Sequence, residues 1–212
     1  MARTKAQLKL IHGGLSAPGK MPCSGYSLPA KECLTGTKLR AVEGSTCHGC
    51  YAMKGRYTWP TVEAAMYRRL ESLSHPEWVE AMAESILRTG EPYFRWHDSG
   101  DLQSVAHLRQ IAEVCERTPD VKHWLPTREY RIVALYLAEY KAFPPNLTVR
   151  MSAHMIGGKL PSFKAPLVLS TVSKGEDYPE AHDCPSRHQN NSCGDCRACW
   201  DPNVSHVDYA YH

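Results

Sequence analysis

Near the end of the chain, Cys184-Pro185 is followed by Cys193-Gly-Asp-Cys196-Arg-Ala-Cys199, and this run constrains folding more than any other feature of the sequence. Two residues between a pair of thiolates form a turn that aims both sulfurs at one point while backbone N–H groups face them. A third cysteine in the same series, plus a distant one beside proline, matches the ligation of a 4Fe-4S cubane more closely than a zinc ribbon, whose ligands come as two separated pairs. Tetrahedral zinc on the same four thiolates is the alternative. In either case the tail from residue 175 is too polar to pack alone, and metal is expected to fold it.

A second group lies in the first quarter: Cys33, then Cys47-His48-Gly49-Cys50, with Cys23 upstream. Cys47 and Cys50 form another two-residue clip, and Cys33 is the natural third ligand. Three thiolates on a cubane leave one iron with an open position, suited to a substrate or to the amino and carboxylate groups of S-adenosylmethionine. Cys23 as a fourth ligand would close the centre, and His48, between the clip cysteines, is expected to point away. One or two 4Fe-4S clusters are therefore expected. Cys115 falls on the apolar face of a predicted helix and reads as a small buried hydrophobe. Nine cysteines, an odd number, fit a disulfide framework poorly. The apolar stretches fall far short of the roughly 20 residues that span a bilayer, and Met1 to Lys20 lacks the apolar core of a secretory signal. A cytoplasmic protein without membrane contact is expected.

Between the cysteine groups the pattern becomes regular. Val62, Ala65, Met66, Leu70 and Leu73 recur near helical spacing. Ser74-His75-Pro76-Glu77 has the pattern of a capping box and predicts a second helix to about Arg88 that buries Trp78, Met82 and Ile86. Tyr93 to His97 reads as a strand, and Leu102, Val105, Leu108, Ile111, Ala112 and Cys115 mark one helix face after it. Val121 to Leu125 is the next strand, Arg128 to Ala142 the next helix, and Asn146 to Ser152 and Pro166 to Thr171 are two further strands. This alternation predicts an α/β fold with a parallel sheet, and a chain of this length with loop-rich ends suits an open or partial parallel β/α barrel. One domain is expected over 1–212, with a basic cysteine loop over 1–60, a β/α core over 61–174 and a cysteine tail over 175–212.

Parallel sheets gather ligand groups at strand C-terminal ends, and four such ends are polar here. His97, Ser99, Asp101 and Arg150 are the candidate catalytic residues. Asp98, Gly100, Ser152 and Thr171 are the candidate cofactor-binding residues, with the Asp98 to Asp101 turn and Arg150 placed for ribose hydroxyls and a carboxylate. Thr127, Arg128, His154 and Ser173 complete the set. Period-two alternation puts Arg95 with His97, and Arg150 with Ser152, on common faces. Helix capping is the plainer role for Asp101 and Ser173. The candidate metal ligands, Cys33, Cys47 and Cys50 on one side and Cys184, Cys193, Cys196 and Cys199 on the other, flank this core, and the first three are expected to fold over its rim.

The net charge of +3 conceals an asymmetry: residues 1–58 hold nine basic and two acidic side chains, leaving the remainder net negative. A basic front of this kind attracts polyanions. Lys54, Arg56, Tyr57 and Trp59, just after the clip, offer charge and a stacking surface for nucleic acid.

Together, Tyr26-Ser-Leu-Pro-Ala, Cys33, Cys47-His-Gly-Cys50-Tyr-Ala-Met-Lys-Gly-Arg-Tyr57, Arg95-Trp-His-Asp-Ser-Gly-Asp101 and Cys193-Gly-Asp-Cys-Arg-Ala-Cys-Trp200 resemble the bacteriophage gene product 88-like family, in the same order over nearly the whole chain. The resemblance implies a phage or prophage origin and action inside a bacterial host; it brings no activity with it. The Cys-x2-Cys-Tyr-Ala element is also similar to the cysteine loop of phage proteins related to radical S-adenosylmethionine enzymes. Their usual Cys-x3-Cys-x2-Cys spacing is replaced here by thirteen residues between Cys33 and Cys47. Two functions follow as expectations: an iron-sulfur enzyme of radical S-adenosylmethionine type, and a non-catalytic iron-sulfur or zinc protein that binds nucleic acid.

Overall fold

Leu147–Ser152 is buried along its whole length, a pattern that only a strand covered on both faces sustains. The structure, a computed structural model, describes residues 3–163, 167–175 and 178–211. Among them are seven strands: β1 (Gly25–Tyr26), β2 (Tyr93–Trp96), β3 (Lys122–Thr127), β4 (Leu147–Ser152), β5 (Val168–Ser173), β6 (His182–Asp183) and β7 (His206–Ala210). They form one open sheet in the order β1-β2-β3-β4-β5-β7-β6, with every neighbouring pair parallel.

Six α-helices accompany the strands: α1 (Lys5–His12), α2 (Leu34–Leu39), α3 (Pro60–Ser72), α4 (Trp78–Leu87), α5 (Val105–Arg117) and α6 (Tyr130–Tyr140). Each of the long ones starts on a recognisable signal or carries an apolar face. Pro60 opens α3 where its missing N–H costs nothing, and the Ser104 hydroxyl accepts the His107 N–H at the start of α5. The two faces of the sheet are covered differently. Phe94, Trp96, Leu125, Val149 and Met151 pack against α4, α5 and α6 through Trp78, Met82, Leu108, Ile111, Cys115, Val133 and Tyr136. Trp124 and Val207 point the other way, into a cluster with Cys23 and the turn Ala198-Cys199-Trp200. Helices thus cover one face and cysteine-bearing segments the other.

The four central strands and the helices α3 to α6 lie where the periodicity places them, to within a few residues; Pro166, the expected start of β5, lies outside the described residues. Cys115 is fully buried, as its helix face predicts. Three readings are corrected. The front of the chain is not all loop, because α1, β1 and α2 form there; the tail adds β6 and β7. The capping box does not form: Ser74 donates to the Glu71 carbonyl, the Glu77 N–H goes to His75 Nδ1, and α4 starts at Trp78. His97 does not continue the strand alternation, because its φ of +52° turns it out of β2.

Candidate metal centres

The chain that leaves β1 crosses the C-terminal ends of three neighbouring strands, and a bond network fixes it to each. Beyond β2, Leu28 N–H donates to the Ser99 carbonyl (2.9 Å) and Ser99 Oγ donates back to the Leu28 carbonyl (2.7 Å). The Asp98 carboxylate accepts from Ser27 Oγ and from Tyr57 OH, and its carbonyl accepts from Tyr51 OH. Gly100, at φ +79°, lies so close that a Cβ would stand 2.5 Å from Leu28 Cβ; only glycine permits the contact. Beyond β3, Glu129 accepts from Thr35 N–H (2.7 Å) and Thr35 Oγ1 (2.8 Å), and Arg128 Nε donates to Thr46 Oγ1 (2.8 Å). Beyond β4, Thr46 N–H donates to the His154 carbonyl (2.9 Å).

This loop gathers the first three cysteines. The sulfurs of Cys33 and Cys47 each lie 3.6 Å from the position a Cβ on Gly36 would take, so both thiols meet at the bare Gly36. Cys50 acts electrostatically on both thiols, as does Asp101; Glu129 acts on Cys33 and Arg128 on Cys47. Burial, reinforced by these acidic neighbours, pushes the Cys33 thiol up; burial also raises Cys47, against the pull of Arg128. Asp101 is raised to about 6, chiefly by burial, although Thr127 Oγ1 (2.6 Å), Arg128 N–H (2.9 Å) and Leu102 N–H (2.8 Å) all donate to it. Among the described residues no three His, Cys, Asp or Glu side chains converge on one point as a single ion requires. A cubane, by contrast, places each thiolate on a separate corner rather than on one point. His48 turns its Nδ1 to the Arg40 carbonyl (3.0 Å).

The second group forms where the tail meets the front of the chain. Cys193 N–H donates to the Lys20 carbonyl (3.2 Å), Cys196 N–H to the Cys193 carbonyl (3.1 Å) and Cys184 N–H to the Asp208 carbonyl (2.9 Å). Cys199 Sγ lies 3.1 Å from Tyr209 OH, Cys196 Sγ 3.4 Å from His182 Nε2 and Cys193 Sγ 3.8 Å from Met21 Sδ. Cys184 acts on both Cys193 and Cys199. Cys23 belongs here rather than with Cys33: it is buried in the same apolar cluster as Cys199 and interacts with Cys193. Burial pushes Cys23 and Cys199 up to about 12. Apart from Cys115 in the core, the cysteines thus fall into two groups with different neighbours.

Both groups and the strand-end turn after β2 lie inside residues 1–202, the stretch matched by the family model described as gene product 88. The chain belongs to the gene product 88 family. Among curated proteins and solved structures, none matches it.

In this gene product 88 protein the strand-end residues do not form one pocket. Of the four candidate catalytic residues, Asp101 alone acts on the Cys33 and Cys47 thiols, and Ser99 anchors the loop that carries them. Arg150 points to the other group: its guanidinium donates to the carbonyls of Leu169, Val204, Ala198 and Asp201 at 2.9–3.2 Å and clamps the tail. The His97 ring packs 5.4 Å from that of His107, on the helix-covered face and away from Arg95, with neither ring nitrogen bonded. Asp98 and Gly100 hold the cysteine loop. Ser152 Oγ meets Ser170 Oγ (3.0 Å), whereas Thr171 bonds His206 (2.8 Å) and Asp208 (2.6 Å) on the opposite face. Sequence reasoning passed over Glu129, Tyr51 and Gly36. The first two follow directly on a strand end and on Cys50, a placement that could have flagged them; nothing in the sequence singles out Gly36.

Proposed function

We propose that this phage family member is an iron-sulfur enzyme of radical S-adenosylmethionine type acting in the host cytoplasm. In this reading Cys33, Cys47 and Cys50 hold a catalytic 4Fe-4S cluster, and Cys184, Cys193, Cys196 and Cys199 a second cluster that folds the tail. The observation that carries it is the meeting of the Cys33 and Cys47 sulfurs beside Gly36, with Cys50 and Asp101 acting on both thiols and Arg128 on Cys47, on a loop bonded to the C-terminal ends of parallel strands. The same reading takes the open sheet as part of a β/α barrel, supported by helices on one face and the cysteine segments on the other. When bound, the cluster supplies one-electron chemistry toward S-adenosylmethionine, whose cleavage yields a radical able to take hydrogen from a substrate. The chain's part is positioning. Tyr51 and Tyr57 tie the loop to Asp98, Arg128 places positive charge beside Cys47 and any incoming carboxylate, and the loop buries Cys47 while leaving Cys33 and Cys50 half-buried.

Anaerobic purification followed by iron, sulfide and zinc analysis tests this. Iron and sulfide are expected, with loss of S-adenosylmethionine cleavage in Cys33→Ala, Cys47→Ala and Cys50→Ala. Stoichiometric zinc without iron or sulfide would overturn it.

A second reading, nucleic-acid binding by the basic front, has its own support. The Arg56 guanidinium lies 5.8 Å over the ring of Trp59, which is exposed like Tyr51, and neither Lys54 nor Arg56 has an ion-pair partner among the described residues. Tyr57 is engaged with Asp98 and drops out of this surface.

A further inference from the structure

Three aromatic rings that the core does not use lie on, or against, one short segment. Tyr51 and Trp59 are 54% and 55% exposed, and Tyr211, far along the chain, is 47% exposed. Tyr211 joins the other two in space: its hydroxyl lies 3.6 Å from the position a Cβ on Gly49 would take, so it rests on the turn between Cys47 and Cys50. Single exposed apolar side chains are ordinary, whereas large ones gathered at one place mark a contact surface. All three residues are anchored while about half of each stays open. Tyr51 OH donates to the Asp98 carbonyl, the Trp59 carbonyl accepts the Val62 and Glu63 N–H groups (both 2.9 Å), and Tyr211 N–H donates to the Ser173 carbonyl (2.9 Å). A ring fixed in advance loses little freedom when a planar group stacks on it.

Cations accompany the rings. Lys174 Nζ lies 5.0 Å from the centre of the Tyr211 ring, as Arg56 lies over Trp59, and Lys54 follows Tyr51 by three residues. Lys54, Arg56 and Lys174 are exposed, and among the described residues none of them has an ion-pair partner. From Cys33 to Trp59 the sequence holds four basic side chains, Lys38, Arg40, Lys54 and Arg56, against one acidic one, Glu43. Rings interspersed with unpaired cations complement a chain of unpaired bases joined by phosphates. A duplex hides its base faces, and an acidic peptide brings the charge without them.

We infer that Tyr51, Trp59 and Tyr211, with Lys54, Arg56 and Lys174, form a binding surface for single-stranded nucleic acid, begun by the front of the chain and completed by the ends of β5 and β7. The inference rests on the nucleic-acid reading above and deepens it: it names the strand form and adds Lys174 and Tyr211, which lie far outside the basic front. It requires no metal in either cysteine group.

Fluorescence anisotropy of the full chain, over a salt series, with a labelled oligothymidylate of about 20 nucleotides, a duplex of equal length and heparin tests it. The oligothymidylate is expected to bind roughly tenfold tighter than the duplex. Trp59→Ala and Tyr211→Ala should each weaken its binding roughly fivefold or more, whereas Tyr51→Phe and Tyr211→Phe, which keep the ring and lose only the hydroxyl, should stay within about twofold of wild type. Lys174→Ala, and Lys54→Ala combined with Arg56→Ala, should flatten the slope of log affinity against log salt by roughly 0.7 for each cation removed. Circular dichroism checks that every variant is folded, and the exposed Lys174 supplies the readout should a ring variant fail to fold. Binding that Tyr211→Ala and Lys174→Ala leave unchanged overturns this inference and leaves the basic front as the site. Duplex or heparin bound as tightly as oligothymidylate, with the ring variants unaffected, shows a surface that reads charge alone and overturns it too. No salt-dependent binding of any of the three probes at low ionic strength overturns it together with the nucleic-acid reading.

Discussion

The two cysteine groups have similar spacing in sequence and different neighbours in space. Cys33, Cys47 and Cys50 lie on a loop strapped over strand ends, beside Asp101, Glu129 and Arg128 and next to the exposed Tyr51. Cys184, Cys193, Cys196 and Cys199 sit among Trp124, Trp200 and Tyr209, with Arg150 and Thr148 bonded to carbonyls of their own segment. Polar neighbours and access belong with chemistry on a ligand, aromatic burial with holding the chain together. The comparison teaches that similar cysteine spacing can be set in unlike surroundings, and that the surroundings, not the spacing, distinguish the two groups.

The sharpest way to break the comparison is to remove single cysteines on each side. Cys193→Ala, Cys196→Ala or Cys199→Ala should lose metal and solubility together, since metal affinity there is folding free energy. Cys47→Ala should stay folded by circular dichroism. Equal solubility loss on both sides would erase the distinction.

The scaffold common to both groups should fail in acid. His12, His107 and His123 are held neutral by burial, at about 4, 3 and 3, and His97 is also lowered well below its usual range by burial. Unfolded chains protonate them near pH 6.5, so their contribution is complete above that and is lost as pH falls toward the folded values. At pH 5 each should cost roughly 2 kcal/mol relative to pH 7. Asp101, raised to about 6, works the other way: its contribution is full below about pH 4 and is lost as pH rises through 6. Urea midpoints from pH 7.5 to 4.5 should therefore fall steadily, and a flat profile would contradict the burial of these rings.

Smaller effects sharpen the comparison. Arg150→Met strands carbonyls around the tail and should cost about 3 kcal/mol, a drop of roughly 6–12 °C in melting temperature. Gly36→Ala puts a methyl 2.9 Å from Cys33 Cβ and between two sulfurs. Metal analysis should show its loss from the first group alone, with stability changed by about 1 kcal/mol or less, because better helix propensity offsets crowding. Cys115→Ala should leave metal content unchanged and cost about 1 kcal/mol.

Much of this architecture was legible in the sequence, and the exceptions have physical causes. The strands β2 to β5 and helices α3 to α6 bury periodic apolar faces, which a sequence displays directly. The strand β1 has two residues, one of them Gly25, and exists through its pairing with Arg95 and Trp96 far along the chain. The polar His206 and Asp208 disguise β7, being buried only because the Thr171 and Ser173 hydroxyls meet them. In the site, the division of the cysteines into a front group and a tail group, and the place of Asp101 beyond a strand end, were readable from the sequence. Arg150 misled because a buried cation at a strand end looks the same whether it binds a ligand or, as here, its own chain's carbonyls. His97 misled because one positive φ reverses the face that alternation predicts.

The bond from Cys193 N–H to the Lys20 carbonyl, with that from Trp200 Nε1 to the Phe94 carbonyl (2.9 Å), has a consequence for the order of events during synthesis. Lys20 and Phe94 leave the ribosome long before their partners, so one face of the sheet stays bare until residues 193–200 have emerged. Closure then depends on contacts of very long sequence separation, which are slow to form. During that delay the thiols of the second group stay open to solvent, and docking of the tail ends their exposure.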